Sequence, residues 1–148
     1  MLDESKVSIT NEDEFADWCS RIDTRLDALK EAVAGAFELD FSTESLASLR
    51  NWILENLPHY NDVSTDDEHE RIMQCAAYIG KTYIRVLGWE WRHIAEKDFM
   101  YSKHVVVLGR KDGEAAQCAP VCEVTALLLS GPRSKFCGHL LGLPQSRR

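Results

Sequence analysis

The stretch TDDEHERIMQCAAYIGKTYIRVLGWEWRHI, residues 65–94, decides the fold of this chain. Apolar side chains recur in it at steps of three and four, the spacing of one buried helix face: Ile72, Cys75, Ala76, Ile79, Tyr83 and Val86. Thr65 and Glu68 have the spacing of a capping box, and Gly88 suits a left-handed helix stop. The stretch therefore predicts a central helix that is capped by Thr65 and stopped by Gly88.

A strand that carries two tryptophans is predicted directly after this stop. Trp89, Trp91 and His93 occupy alternate positions, which is the two-residue period of a strand. We expect Trp91 to be largely buried, so that the helix and the strand nucleate one core. Gly80 costs about 1 kcal/mol relative to alanine in the middle of a helix, which is tolerable if another backbone segment passes close to it.

The residues before this stretch predict two further helices. Asn11 begins a helix whose apolar spacing continues to about Ala36, a single rod of roughly 35 Å at 1.5 Å per residue. Ser42 can cap a second helix, which ends near Leu57. Residues 1–10 are mostly polar, and we expect them to form a frayed lead-in.

The residues after the tryptophans predict two strands and a helix. Residues 104–109 contain a β-branched run that is typical of a strand. A turn at residues 110–113 returns the chain into a short strand at residues 114–118. Pro120 suits the first position of a helix, which Gly131 and the proline after it would end.

The whole pattern predicts a single α+β domain over residues 1–148. Its helical N-terminal half packs on a small antiparallel sheet of about three strands, and a further helix follows near the C-terminus. A short helical or irregular piece is expected at residues 136–143, followed by a basic tail at residues 144–148. The chain is long enough to bury one sizeable core.

The formal net charge of −7 hides an asymmetry between the two halves of the chain. Residues 1–70 hold 18 acidic and 5 basic side chains, whereas residues 71–148 hold 6 acidic and 12 basic ones. Such a split indicates an acidic docking surface for another, basic protein. It disfavours nucleic-acid binding, which needs a concentrated basic face. The candidate partner-binding residues lie near two predicted helix starts: Asp13, Glu14, Asp17, Asp66, Asp67 and Glu70.

An alternative for these carboxylates is that they are ordinary residues of first helical turns. The helix dipole favours negative charge at these positions, and such side chains are commonly solvated. Sequence alone leaves both interpretations open, because it does not show whether the two helix starts lie on one surface.

The N-terminus and the cysteines favour a cytoplasmic protein without membrane association. The first residues contain no basic region followed by an apolar run, which a signal peptide requires. Apolar runs such as residues 126–129 are far too short to span a bilayer. Five scattered cysteines, an odd number, favour reduced thiols over a disulfide framework.

Four possible zinc ligands lie in the last third of the chain: Cys118, Cys122, Cys137 and His139. Zinc requires four donors that converge as a tetrahedron. Here the first cysteine pair straddles a predicted helix start and the second pair is tighter than usual, while cysteine is also a common small buried residue. We therefore predict no metal and no cofactor. Cys137 and His139 also lack the flanking signature of a cysteine nucleophile, so no catalytic residue is assigned.

Aromatic and histidine side chains near the tryptophan strand define a possible pocket. Its candidate residues are Tyr83, Trp89, Trp91 and His93, and Tyr60 and Tyr101 can line a groove together with the two tryptophans. The alternative is that the tryptophans only cover the core. His69, between two glutamates in the first turns of the central helix, is expected to be a surface residue.

Three short motifs resemble the pattern of small uncharacterised bacterial proteins. The motifs are Leu39-Asp40-Phe41-Ser42 followed by Ser45-Leu46, then Ala77-Tyr78-Ile79-Gly80, then Gly88-Trp89-Glu90-Trp91. The resemblance covers about residues 39–130. Some similar compact proteins act as immunity proteins or accessory partners in toxin systems. The resemblance implies a fold type, in which a tyrosine–glycine helix leads to a tryptophan strand, and it implies no catalytic residue.

Two functions from different classes remain. The first is a non-enzymatic protein-binding domain of the immunity or accessory type, which docks a basic partner through the acidic N-terminal half. The second is a small-molecule-binding or enzymatic pocket near the tryptophan strand. An exposed acidic surface would favour the first, and an enclosed pocket with converging polar groups would favour the second.

Overall fold

The computed structural model describes residues 1–141. This part of the chain is α+β, as predicted: a helical N-terminal half, then a three-stranded antiparallel sheet, then a C-terminal helix. Its helices and strands are α1 (Glu12–Ser20), α2 (Ile22–Val33), α3 (Thr43–Asn56), α4 (Asp66–Leu87), β1 (Glu90–Arg92), β2 (Val106–Lys111), β3 (Glu114–Cys118), α5 (Pro120–Ser130) and α6 (Gly138–Leu141). The predicted basic tail, residues 144–148, lies outside the described residues.

Helix α4 is the axis of the fold. Both halves of the predicted capping box are present, because the Glu68 N–H donates to Thr65 Oγ1 (3.1 Å) and the Glu68 carboxylate accepts from the Thr65 N–H (3.0 Å). Gly88 ends the helix with a φ of 74°. Every residue from Ile72 to Gly80 is buried, because α2, α3, α5 and the sheet all pack on this helix. No helix in residues 1–141 is long and apolar enough to cross a membrane.

The sheet has the order β1-β2-β3, and both strand pairs are antiparallel. A two-residue turn joins β2 to β3. Asp112 (φ 55°) and Gly113 (φ 84°) both adopt left-handed conformations, as a type I′ hairpin requires. This tight turn keeps Lys111 paired with Glu114. Strand β2 covers residues 106–111, so it begins and ends two residues later than the predicted strand at residues 104–109.

Trp89 and Trp91 pack between the sheet and α4, and Trp91 is less buried than predicted. Trp89 is 2% exposed, whereas Trp91, which we expected to be largely buried, is half-buried. A Cβ atom at Gly80 would overlap the six-membered ring of Trp91, and one at Gly109 would overlap the indole of Trp89. The sequence suggested that another backbone segment passes close to Gly80. In the structure the Trp91 side chain makes this close approach instead.

The predicted single helix from Asn11 to Ala36 is wrong, because the chain turns at Arg21. Helix α1 ends there and α2 begins at the next residue, with Arg21 serving as the cap of both. The turn lets Trp18 of α1 pack edge-on against Trp91, with 5.4 Å between ring centroids. Helix α2, in contrast, packs along α4.

The prediction of a frayed lead-in is also wrong. Residues 1–9, which we call the N-terminal strap, bury the side chains of Leu2, Val7 and Ile9. The strap is tied by backbone hydrogen bonds, because the Leu2 N–H donates to the Tyr60 carbonyl (3.0 Å) and the Ile9 N–H donates to the Lys103 carbonyl (2.8 Å). Three buried apolar side chains and these bonds order a segment whose other side chains, apart from the exposed Met1, are polar.

Helix α5 adds a further layer to the core. It packs mainly on α4 and also touches α3. Pro120 lies in its first turn and Gly131 follows its last residue, both as predicted. Helix α6 forms part of the predicted piece at residues 136–143 as far as residue 141, and Leu143 lies outside the described residues.

Candidate functional site

A groove of about 360 Å³ lies where the N-terminal strap meets α1, α2 and α4. We call it the acidic groove, because three of the carboxylates predicted to bind a partner line it: Asp13, Glu14 and Asp17. Its other lining residues are Lys6, Ser8, Ile9, Trp18, Arg25 and Met73. The groove therefore combines charged walls with an apolar contribution from the strap and from α4.

Both basic residues of the acidic groove are already paired with carboxylates of α4. Lys6 forms an ion pair with Asp66, whose pKa is lowered by the hydrogen bond and the charge that Lys6 supplies. Arg25, only 8% exposed, donates through Nε to Glu70 Oε2 (3.0 Å) and through Nη2 to Glu70 Oε1 (3.2 Å). These pairs neutralise the cations, so the groove retains an excess of negative charge.

Arg25 is also fixed by an aromatic contact. Its guanidinium lies 5.1 Å from the centroid of the Trp18 ring, a distance at which cations are attracted to the ring face. Trp18 is completely buried, and its Nε1–H has no hydrogen-bond partner in the described residues. The wall of the acidic groove therefore contains buried side chains in contact, Trp18 and Arg25, while the carboxylates at its rim are exposed.

The predicted carboxylates differ in how far their charges are satisfied. Asp13 and Asp67 are exposed and make no side-chain hydrogen bond or ion pair within residues 1–141. Asp17 pairs with Arg21 on α1 (3.0 Å). Glu14 accepts hydrogen bonds from the backbone and hydroxyl of Thr10, which lower its pKa. The structure thus brings three of the six to the groove directly and two more through their cation partners, but it does not place Asp67 on the groove wall.

The predicted tryptophan-strand pocket does not form as expected. Tyr83 and Trp89 are buried, with 5.3 Å between their ring centroids, and Trp91 packs on Trp18. His93 is half-buried, and its Nε2 lies 2.8 Å from the Ser102 carbonyl. Because these side chains are used in packing and hydrogen bonding, none of them lines either of the two clefts beside the sheet.

Two open clefts lie beside the sheet instead. A cleft of about 760 Å³ follows its outer face, where Leu108, Arg110 and Gln117 lie. A second, of about 430 Å³, lies between β3, α5 and α6 and is lined by Tyr101, Lys111, Gln117, Cys118, Ala119, Glu123, Lys135, Gly138 and His139. The polar residues of the smaller cleft come from separate parts of the chain, namely the loop at Tyr101, the β2–β3 hairpin, α5 and residues 135–139. No local sequence motif therefore predicts them.

Glu123 is the least ordinary residue of the smaller cleft. Burial raises the pKa of its carboxyl group, although the hydrogen bond that Oε1 accepts from the Cys137 N–H (2.6 Å) acts in the opposite direction. Cys137 itself has a left-handed backbone with a φ of 52°. A largely buried carboxyl group with a raised pKa in a cleft is a recognised mark of a functional site.

The four possible zinc ligands do not assemble into a metal site. Cys118 and Cys137 are both buried beside Tyr83, and burial raises the pKa of each thiol well above its ordinary value. Cys122 is half-buried, and His139 packs edge-on against Trp89 at 5.3 Å between ring centroids. Among residues 1–141, no three His, Cys, Asp or Glu side chains are arranged to hold a metal ion.

No family model, curated protein or solved structure that was compared with the chain matches it. The resemblance to small bacterial proteins therefore stays a prediction. The functional assignment rests on the acidic groove and its charges.

Three important groove residues were not among the predicted site residues: Lys6, Trp18 and Arg25. Lys6 meets Asp66 across 60 positions and Arg25 meets Glu70 across 45, so no local spacing could pair them. One signal was available for Arg25, because a basic residue that follows the apolar stripe of a helix can reach a neighbouring helix. Predicting that Arg25 is buried on α2 would have required knowing that the chain turns at Arg21.

Proposed function

We propose that this protein is a non-enzymatic protein-binding domain, of the immunity or accessory type, whose acidic groove docks a basic surface of another protein. One observation carries the proposal. Three carboxylates of α1 line a single groove, and the two basic residues of that groove are each paired with a carboxylate of α4. A basic side chain of a partner would therefore meet unbalanced negative charge there.

Electrostatic steering follows from this arrangement. The rim carboxylates of Asp13 and Asp17 are exposed, so their field extends into solvent over the screening length of about 8–10 Å near physiological ionic strength. Complementary charge on a partner would raise its association rate more than it slows dissociation. The pair of the buried Arg25 with the partly exposed Glu70 has a different role, because it links α2 to α4.

The association rate with a basic partner tests this proposal. A partner captured from the native host, or an oligolysine peptide as a surrogate, is mixed with the wild type and with the variant Asp13→Asn, Glu14→Gln, Asp17→Asn, whose three residues line the acidic groove. These side chains are exposed, so the variant should fold with nearly unchanged stability. We expect its association to be about tenfold slower than that of the wild type at low salt, and the difference to vanish at high salt.

A matched control removes three charges elsewhere. Glu55→Gln, Asp112→Asn and Glu114→Gln are exposed substitutions on α3 and on the hairpin, and none of these residues lines the acidic groove. This control should associate nearly as fast as the wild type at both salt concentrations. If the two triple variants behave alike, or if no rate depends on salt, the groove carboxylates are ordinary solvated residues and the proposal is wrong.

The Glu123 cleft supports a second candidate function, a small-molecule-binding pocket. The carboxyl group of Glu123, with its raised pKa, faces the same cleft as Lys135, His139 and Tyr101. This moves the alternative from the tryptophan strand to the space between β3, α5 and α6. A ligand of this cleft would bind equally well to the wild type and to the acidic-groove variant, which separates the two candidates.

A further inference from the structure

The N-terminal strap is fastened to α4 by a buried histidine. His69, which the sequence placed at the surface, is only 3% exposed because the strap covers it. Its Nε2 lies 2.9 Å from the backbone nitrogen of Asp3, and its Nδ1 lies 2.7 Å from the Thr65 carbonyl oxygen. Both ring nitrogens are therefore engaged, one by the strap and one by the N-terminal cap of α4.

The two contacts allow one protonation state of the ring. A carbonyl oxygen only accepts hydrogen bonds, so Nδ1 must carry the proton that is donated to Thr65. A backbone N–H only donates, so Nε2 must present a lone pair to Asp3. The closed strap thus requires a neutral His69 that is protonated on Nδ1. A second proton, on Nε2, would replace an attraction with two opposed N–H groups.

Charged groups of the strap and of α4 lie around the ring. Hydrogen bonds are the main cause of the lowered pKa values of Asp3, Asp66 and Glu68, and these three carboxylates are also near enough to His69 to interact with it electrostatically. Lys6 of the strap is the opposing charge, and it is paired with Asp66. Three carboxylates and one ammonium that is paired with a carboxylate therefore surround the ring, while the Asp3 N–H occupies the position that a second ring proton would need.

We propose that His69 is a pH-sensitive latch that holds the N-terminal strap closed when neutral and releases it when protonated. The proton is taken from solvent and binds at Nε2, where it displaces the Asp3 N–H. Released strap residues also leave the acidic groove, since Lys6, Ser8 and Ile9 are part of its wall. Departure of Lys6 frees the Asp66 carboxylate, which then lies near the newly charged His69, so acidification opens the groove and changes its charge; this last step rests on the proposed function.

The sign of the pH dependence follows from proton counting. The open strap binds one more proton than the closed strap, so closure is complete at pH values where a free imidazole is neutral and is lost as the pH falls. As long as opening takes up one proton, the ratio of open to closed strap rises about tenfold for each pH unit of acidification.

Nuclear magnetic resonance on the isolated protein tests the latch. The ring titration of His69 and the backbone order of residues 2–9 are followed from about pH 8 to about pH 5. The variant His69→Gln keeps one donor and one acceptor but does not titrate. The variant His59→Gln is the matched control, because His59 is an exposed histidine whose Nδ1 accepts from the Asn61 N–H in its own loop.

The expected result is that residues 2–9 lose order in step with protonation of His69 in the wild type and in His59→Gln. The strap of His69→Gln should show no such dependence. A strap that stays ordered while His69 is protonated overturns the proposal. So does a His69 ring that remains neutral down to pH values at which the whole chain unfolds. Both readings come from the wild type, so they hold even if His69→Gln fails to fold.

Association with an oligolysine peptide separates this proposal from the docking proposal. A change of rate on acidification that the wild type shows and His69→Gln lacks supports regulation of the groove by the latch. If the rate depends on the groove carboxylates but has the same pH dependence in both proteins, the groove stands and its regulation by His69 is overturned. If the rate ignores the carboxylates while the strap still opens, the docking proposal fails and the latch stands.

Discussion

At the scale of single residues, two buried tyrosines of α4 differ in what their hydroxyl groups contact. Tyr78 lies in a chain of hydrogen bonds: the Ser45 hydroxyl donates to the Ser42 carbonyl (2.6 Å), so the Tyr78 hydroxyl must donate to Ser45 Oγ (2.6 Å), and it accepts from the Phe41 N–H (2.8 Å). The Tyr83 hydroxyl has no such partner in the described residues. Burial raises the pKa of both hydroxyl groups.

Removing the Tyr78 hydroxyl and removing the Tyr83 hydroxyl should therefore affect the stability of the protein differently. Tyr78→Phe leaves the Phe41 N–H unpaired in a left-handed backbone (φ 61°), and we expect a loss of about 1–3 kcal/mol in the free energy of unfolding. Tyr83→Phe removes an unsatisfied buried hydroxyl and should be neutral or slightly stabilising. Denaturant unfolding of the two variants checks both values. Equal losses would mean that Tyr83 has a partner, such as the neighbouring thiol of Cys118.

At the scale of elements, the local signals of the sequence were reliable wherever a backbone group is satisfied nearby. Thr65, Gly88 and Pro120 act within one turn of their own helices, so their roles could be read from spacing. The turn at Arg21 could not, because the apolar stripe continues through it without a glycine or proline. What separates α1 from α2 is the packing of Trp18 on Trp91, a contact between distant parts of the chain.

The contact between α4 and β1 predicts an inverted effect at Gly80. Alanine usually stabilises a helix by about 1 kcal/mol relative to glycine. Here the new methyl group would overlap the Trp91 ring, which also packs against Trp18, so we expect Gly80→Ala to cost about 1–3 kcal/mol. In a Trp91→Ala background the same substitution should become stabilising. A double-mutant cycle by denaturant unfolding measures the change of sign, and additive effects would contradict the contact.

At the scale of the whole molecule, the α+β architecture was predictable but the meeting of its parts was not. The helix and strand periods, the hairpin and the acidic half are properties of short windows, which is why they could be read from sequence. The acidic groove depends on Lys6 reaching Asp66, and the latch depends on Asp3 lying over His69. The first ten residues contain no local pattern that predicts such contacts. Their three buried side chains, those of Leu2, Val7 and Ile9, are too few to form a helix or strand pattern.

The pH dependence of stability is also a property of the whole molecule, and Glu123 contributes to it. Its pKa is raised in the folded state, so the folded form binds more protons than the unfolded chain, and stability falls as the pH rises through this range. Glu123→Gln removes the charge but keeps an oxygen for the Cys137 N–H. We expect a higher free energy of unfolding than the wild type at about pH 7.5 and a smaller difference at about pH 4.

Denaturant unfolding of this variant at both pH values is the measurement, with the exposed Glu55→Gln as its control. The control should follow the wild type at each pH. A loss of stability in Glu123→Gln at the higher pH would mean that the ionised carboxylate is favourable, through a cationic neighbour such as Lys135 in the same cleft.

The pairing of Trp18 with Trp91 also makes the protein its own optical reporter. The two indoles stand at 78° to each other with centroids 5.4 Å apart, and their fixed packing contributes to the near-ultraviolet circular dichroism of the protein. Because one ring belongs to α1 and the other to β1, this contribution disappears when these elements separate, even while α4 keeps its far-ultraviolet signal. Coincident loss of both signals on heating would identify helix and sheet as one cooperative unit without any added label.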